Sequence, residues 1–112
     1  MRVKVFYLDW EGAEARGRGT PGYDRFYELM SGSRPPVRGD LRDFYVLKAS
    51  RDVDVDATVN PPEAICESVW AALQDGGCKN WGFRARSMSV GDVLLLNGEM
   101  WAAANCGFVK VV

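Results

Sequence analysis

Acidic residues near the middle of the chain have the spacing of a calcium loop. Four of them match positions 1, 3, 5 and 12 of an EF-hand, where carboxylate oxygens surround the cation: Asp52, Asp54, Asp56 and Glu63. An EF-hand has glycine at position 6, which here is Ala57, and the residues before Asp52 have the pattern of a strand rather than a helix. We therefore favour a solvated strand face followed by a helix cap, and metal binding by these carboxylates stays open.

The chain has few residues that could carry out nucleophilic catalysis. The chain has three cysteines, Cys66, Cys78 and Cys106, and no histidine. Lys79 can lower the pKa of the neighbouring Cys78 thiol, but a cysteine nucleophile also needs a base. A small hydrolase or transferase that uses Asp or Glu is the remaining enzymatic alternative, but the sequence contains no recognisable pair of catalytic carboxylates. We predict a protein that is not an enzyme, with no cofactor, no structural metal site and reduced thiols.

The binding candidates are aromatic and basic residues. Tryptophan and arginine are enriched at binding hot spots, and both stack on single-stranded bases. Trp81 has two arginines close to it in sequence, whereas Trp101 lies in a predicted hairpin as either a core residue or an exposed anchor. The candidate partner-binding residues are therefore Trp81, Arg84, Arg86, Trp101, Arg38 and Arg42.

The charges are balanced overall and uneven along the chain. Among 112 residues, 14 are basic and 15 acidic, so the formal net charge is −1. Residues 34–51 contain five basic and two acidic side chains, whereas residues 52–75 contain six acidic and no basic ones. We therefore expect faces of opposite sign, which would steer a charged partner toward one of them.

Alternating apolar residues predict strands at both ends of the chain. Val3, Val5 and Tyr7 share one face of a strand over 2–8. Asn97 and Gly98 predict a type I′ turn, because that turn needs a positive φ at both central residues. Further strands are predicted over 43–50, 53–59, 93–96, 100–104 and 108–112.

Two helices are predicted, over 23–31 and over 61–74. Asn60 is a suitable N-cap for the second helix, and Glu63 would complete a capping box with it. Glycine-rich residues 11–22 and 32–40 are expected to be loops, and whether they order on binding stays open. The sequence therefore predicts one domain, 1–112, of the α+β class. It would have a mostly antiparallel sheet, two helices packed on one face and a C-terminal β-hairpin or meander.

The second half of the chain resembles a known family. Residues 86–93 read RSMSVGDV, a predicted hairpin follows, and then come Cys106, Gly107 and Phe108. This arrangement, over about 61–111, is similar to the YodL-type domain of small proteins from phages, plasmids and conjugative elements, some associated with anti-restriction. The resemblance implies a mobile-element origin and supplies no catalytic residue. From the residues alone, Asp92 can cap backbone amides or meet Arg84 or Arg86.

These observations lead to two hypotheses about function. The first is a small non-enzymatic binding protein of a phage or plasmid that binds and modulates a host protein, such as a defence or regulatory factor, for instance as an inhibitor. The alternative is a nucleic-acid-binding module that uses an Arg/Trp surface. The pattern also predicts a cytoplasmic protein without a membrane segment. A homodimer through an exposed hairpin edge stays open.

Overall fold

A computed structural model describes residues 1–111, which form four α-helices, one 3-10 helix and five strands. The first half holds β1 (Arg2–Leu8), α1 (Trp10–Arg16), α2 (Pro21–Ser31), α3 (Asp40–Phe44) and β2 (Tyr45–Asp52). The second half holds α4 (Pro62–Ala72), the 3-10 helix (Gly77–Trp81), β3 (Val93–Leu96), β4 (Glu99–Ala103) and β5 (Phe108–Val111).

All five strands form one antiparallel sheet in the order β2-β1-β3-β4-β5. This arrangement confirms the predicted α+β class and the antiparallel sheet. The β3–β4 hairpin turns at Asn97 and Gly98, whose φ values are 50° and 85°. Both are positive, as the sequence predicted for this dipeptide.

Helices cover both faces of the sheet, whereas the sequence predicted two helices on one face. Val5 and Tyr7 belong to one buried core together with Val69 of α4. Phe26 of α2 and Val93 belong to a second core on the opposite face. The physical reason lies in β3, which reads VLLL and is apolar toward both sides, so that it needs cover on both.

Most of the predicted loop over 11–22 is helical. The carboxylate of Asp9 accepts a hydrogen bond from the Gly12 N–H at 3.0 Å and begins α1. The Thr20 hydroxyl accepts one from the Tyr23 N–H at 3.2 Å and begins α2 two residues before its predicted start. These N-caps satisfy the free amides of each first turn and outweigh the glycine content of the segment. The second predicted loop stays irregular up to Gly39, where α3 follows.

The segment before α4 also differs from its prediction. The predicted strand over 53–59 is instead irregular over 53–56 and a turn over 57–59, where the Asp56 carboxylate accepts hydrogen bonds from the N–H and hydroxyl of Thr58. Helix α4 is capped at Pro61 without a side-chain hydrogen bond, because the Asn60 amide donates to the Asp56 carbonyl instead. The predicted capping box between Asn60 and Glu63 does not form.

Candidate functional site

A buried ion pair fixes the segment that connects the 3-10 helix to β3. Asp92, whose side chain is fully buried, accepts hydrogen bonds from both terminal nitrogens of Arg86 at 2.6 and 2.9 Å. It also accepts hydrogen bonds from the backbone N–H groups of Leu8 and Ser89, at 2.9 Å each. Asp92 therefore caps amides and meets Arg86, the two roles that the sequence allowed. Residues 86–92 are thereby held on the end of β1.

Tyr7 lies under this ion pair. The guanidinium carbon of Arg86 stands 4.6 Å from the centroid of the Tyr7 ring, within cation–π distance. The Tyr7 hydroxyl and the Cys78 sulfur are 3.3 Å apart and share a hydrogen bond. Burial, followed by this hydrogen bond, raises the pKa of the Tyr7 hydroxyl well above its ordinary value. Burial alone would lower the pKa of Arg86, but the hydrogen bonds and charge of Asp92 outweigh it and raise that pKa.

A cleft of about 330 Å³ opens beside this cluster, between the end of β1, the start of α1, β2 and residues 84–86. Its cationic residues are Lys48, Arg84 and Arg86, and its acidic residues are Asp9 and Glu11. The remaining contacts include the rings of Tyr7 and Trp10 and the side chain of Val46.

Two cations of the cleft are left without a carboxylate. Arg86 is paired with Asp92, and Asp9 caps α1 through Gly12. Within residues 1–111, neither Lys48 nor Arg84 forms an ion pair. Lys48 and Arg84 are therefore the unpaired cations that a ligand in the cleft would meet, beside the carboxylates of Asp9 and Glu11.

Further cations extend this region. Arg84 also lines a second groove, of about 290 Å³, with Lys79, Gly82 and Phe83. Arg51 reaches the same part of the surface, where it donates a hydrogen bond to the Asn80 carbonyl at 3.4 Å. We call the set Lys48, Arg51, Lys79 and Arg84 the basic surface.

The candidate tryptophans predicted from the sequence do not offer free rings. Trp81 is half-buried against the core, and the guanidinium of Arg51 lies 4.6 Å from its ring centroid. Trp101 is 6% exposed and is a core residue rather than an exposed anchor. The indole N–H of Trp101 has no acceptor among the residues that the structure describes.

The candidate arginines lie in two places. Arg84 and Arg86 line the cleft. Arg38 instead donates to the Gly98 carbonyl at the tip of the β3–β4 hairpin, at 3.2 Å, and Arg42 pairs with its neighbour Asp43 at 3.1 Å. Neither of these two residues lines the cleft.

The sequence did not single out Lys48 or Arg51, although both belong to the basic run over 34–51 that was expected to form a charged face. Both lie in the predicted strand over 43–50 or directly after it, and alternation assigns such residues to a solvated face. Lys79 was singled out only as the basic neighbour of Cys78. The local signal available was the absence of nearby acidic residues between Tyr45 and Arg51.

The acidic residues of the candidate calcium loop do not converge. Asp52 pairs with Arg2 at 3.3 Å, and Asp56 bonds to the turn at Thr58. Across residues 1–111, no group of three or more His, Cys, Asp or Glu side chains is arranged to hold a metal ion. No helix in this range has the length and apolar character needed to cross a bilayer.

Comparison with known proteins identifies no relative of this chain. No model of a protein family matches the chain, and no match is found among curated proteins or solved structures.

Proposed function

We propose that this protein is a non-enzymatic binding protein whose cleft holds an acidic segment of a partner protein. The observation that carries this proposal is the pair Lys48 and Arg84, which face one cleft without a carboxylate partner in residues 1–111. Arg51 and Lys79 extend the positive charge beside them. Complementary charge of this kind raises association rates and selects partners.

The hydrogen bonds of Asp92 and Tyr7, beside the cleft, favour a structural role over a catalytic one for these two residues. A carboxylate that acts as a general base needs a free oxygen within reach of the substrate proton. Asp92 is fully buried, and its two oxygens already accept bonds from Arg86, Leu8 and Ser89. Tyr7 is bonded to Cys78, and the raised pKa keeps its hydroxyl protonated.

The geometry favours a protein over a nucleic acid as the partner. A nucleic-acid surface gains affinity from phosphate neutralisation and from bases stacked on open aromatic rings. Here Arg51 covers one face of Trp81, and Trp101 is buried. Asp9 and Glu11 also line the cleft and would repel a continuous phosphate backbone. A protein segment can present carboxylates to the cations alone.

The resemblance of residues 61–111 to YodL-type domains supports a more specific form of the proposal. In that form, the chain comes from a phage, plasmid or conjugative element, and the partner is a host protein that it modulates. The run RSMSVGDV that carries the resemblance contains Arg86 and Asp92, which shape one side of the cleft.

Affinity capture with matched charge reversals tests the proposal. The wild-type protein, Lys48→Glu, Arg84→Glu and Lys4→Glu are used as baits in lysate with and without nuclease treatment. Lys4→Glu changes the net charge by the same amount as either cleft variant, but Lys4 lies on the opposite face of β1 from Tyr7. We expect one protein to be captured by the wild type and by Lys4→Glu, and to be lost from both cleft variants.

Two outcomes would contradict the proposal. Material that disappears after nuclease treatment would assign the basic surface to nucleic acid. Equal capture by Lys48→Glu, Arg84→Glu and the wild type would show that the partner binds elsewhere. Circular dichroism of each variant establishes that a lost interaction does not result from lost folding.

A further inference from the structure

β2 is an edge strand with a free side. It is eight residues long and pairs with β1, and no other strand in residues 1–111 pairs with it. Val46 and Leu47 on this strand are 38% and 49% exposed. The free side presents unpaired backbone N–H and C=O groups, to which an extended segment can add as a further strand.

A bulge in β2 directs Lys48 toward the cleft. Val5 of β1 pairs with Ala49 and the next residue, Phe6, pairs with Leu47, so that Lys48 has no partner on β1. Bulges of this kind redirect a side chain and occur beside functional sites. Lys48 consequently lines the cleft together with Val46.

The pairing of β2 with β1 places Arg51 on the same face of the sheet as Val46. Arg51 pairs with Val3, and Val46 pairs with Tyr7. Val3 and Tyr7 both point into the core under α4. A strand added to β2 would therefore turn every second side chain toward Lys48, Arg51 and Arg84. Alternate side chains of a strand are about 7 Å apart, which suits separate contacts with these cations.

We propose that the partner's acidic segment binds in an extended conformation as a sixth strand on the free side of β2, with acidic side chains at alternate positions against Lys48, Arg51 and Arg84. This inference rests on the proposed function and adds the conformation and the sequence pattern of the bound segment. The backbone of β2 supplies hydrogen bonds, and the basic surface selects the side chains.

A second copy of the chain suits this edge less well. Antiparallel pairing of β2 with itself, centred on Lys48, would bring the Lys48 side chains of two copies together. Like charges that face each other across strands are destabilising. An acidic segment instead neutralises Lys48, which is the contact that the proposal requires.

N-methylated peptides test this inference directly. The probe is a capped peptide of about eight residues, the length of β2, in which glutamate alternates with valine. Two derivatives carry N-methyl groups on one or the other set of alternate peptide nitrogens. In an added strand, one set of N–H groups faces β2 and the other faces solvent, so the two derivatives should behave differently.

The expected result is specific to strand addition. Methylation of the set that faces β2 removes several hydrogen bonds and should weaken binding about tenfold or more, whereas methylation of the other set should leave it nearly unchanged. A peptide of the same composition with its glutamates in one block should bind more weakly than the alternating peptide. Hydrogen exchange of the β2 amides should slow when the alternating peptide binds.

The contrary outcomes separate this inference from the proposed function. If both methylated peptides bind equally well and Lys48→Glu still weakens them, strand addition is wrong and the acidic-partner proposal stands. If none of these peptides binds, both proposals fail. Self-association that depends on protein concentration and is abolished by changes in β2 would assign the free side to a second copy.

Discussion

Arg86 donates two hydrogen bonds to the buried carboxylate of Asp92, and the same carboxylate accepts the Leu8 N–H at the end of β1. This relationship joins the connection after the 3-10 helix to the central part of the sheet. It also fixes one side of the cleft, because Arg86 lines the cleft while its charge is used within the protein. The cations that remain available to a partner are those of the basic surface.

Removal of the buried Asp92 carboxylate should therefore destabilise the fold. Asp92→Ala leaves the Leu8 and Ser89 N–H groups without an acceptor and Arg86 without its partner. We expect the free energy of unfolding to fall by about 3–5 kcal/mol, as for other broken buried pairs. Urea denaturation followed by circular dichroism measures this difference.

An exposed ion pair provides the control for Asp92→Ala. Lys110 and Glu99 are 3.4 Å apart and both side chains are 52% exposed. Lys110→Ala should cost less than about 1 kcal/mol. Similar losses from Lys110→Ala and Asp92→Ala would contradict the role assigned to the buried pair.

Gly91 should tolerate no side chain. Its φ is +91°, and a Cβ placed there would lie 2.4 Å from the Leu29 carbonyl oxygen and 2.8 Å from Leu8 Cδ1. Gly91→Ala should therefore lower the free energy of unfolding by about 3 kcal/mol or more. Gly98, with a φ of +85° and open space around it, is the matched control. Gly98→Ala should cost about 1 kcal/mol, and a larger loss than for Gly91→Ala would count against the close approach of α2 to Gly91.

Because two tyrosines are buried, we predict that the free energy of unfolding falls at high pH. Burial raises the pKa of Tyr7, and burial followed by the charge of Asp92 raises the pKa of Tyr45. Because both hydroxyls bind their protons more tightly in the folded state, the stability they contribute is complete below about pH 10, the ordinary tyrosine pKa. It is then lost as the pH rises toward the folded-state values.

Denaturation at a series of pH values checks this dependence. Tyr7→Phe should make the alkaline decline shallower, because one of the two linked hydroxyls is gone. Tyr27, which is 56% exposed, is the control, and Tyr27→Phe should leave the decline unchanged. An identical alkaline decline in Tyr7→Phe and the wild type would show that Tyr7 does not contribute to it.

The three cysteines should differ in reactivity. Cys106 is exposed, whereas Cys66 and Cys78 are 0% and 2% exposed. Burial, followed by the charges of Glu63 and Glu67, raises the pKa of the Cys66 thiol to about 12. Native protein should therefore react rapidly at Cys106 alone, since the thiolate is the reactive form and access is required.

Titration with a chromogenic thiol reagent, before and after addition of denaturant, measures these reactivities. Cys106→Ser should abolish the rapid phase and leave two thiols that react after unfolding. Rapid modification of Cys66 or Cys78 in the native protein would contradict their placement in the core.

The parts of the fold that follow local rules could be predicted from the sequence. Alternation of Val3, Val5 and Tyr7 identified β1, and Asn97 with Gly98 identified the hairpin turn, because both signals lie within a few residues. Helix α1 was not predicted, because the local glycine content pointed to a loop. Four glycines between 11 and 22 indicated a loop, whereas the caps at Asp9 and Thr20 decide the structure.

The candidate site depends on contacts that no local pattern describes. Lys48 reaches the cleft because the pairing of β2 with β1 skips one residue, and that register involves residues about forty positions apart. Arg84 lines the same cleft as Lys48, although more than thirty residues separate the two in the chain. The sequence selected Arg84 and Arg86 because they lie near Trp81. It left Trp101 open as a core residue or an exposed anchor, and the structure places Trp101 in the core and Trp81 half-buried against it.

Site-specific photo-crosslinking tests the central claim most directly. A photoreactive residue replaces Val46, which lies at the cleft, or Val109 on β5, and these valines are similarly exposed, at 38% and 42%. In cells that carry the gene, we predict that the Val46 derivative crosslinks to one protein, within a segment that has acidic residues at alternate positions, and that the Val109 derivative does not. Equal crosslinking from both positions, or a crosslink from Val46 to nucleic acid or to a segment without acidic residues, would contradict the account.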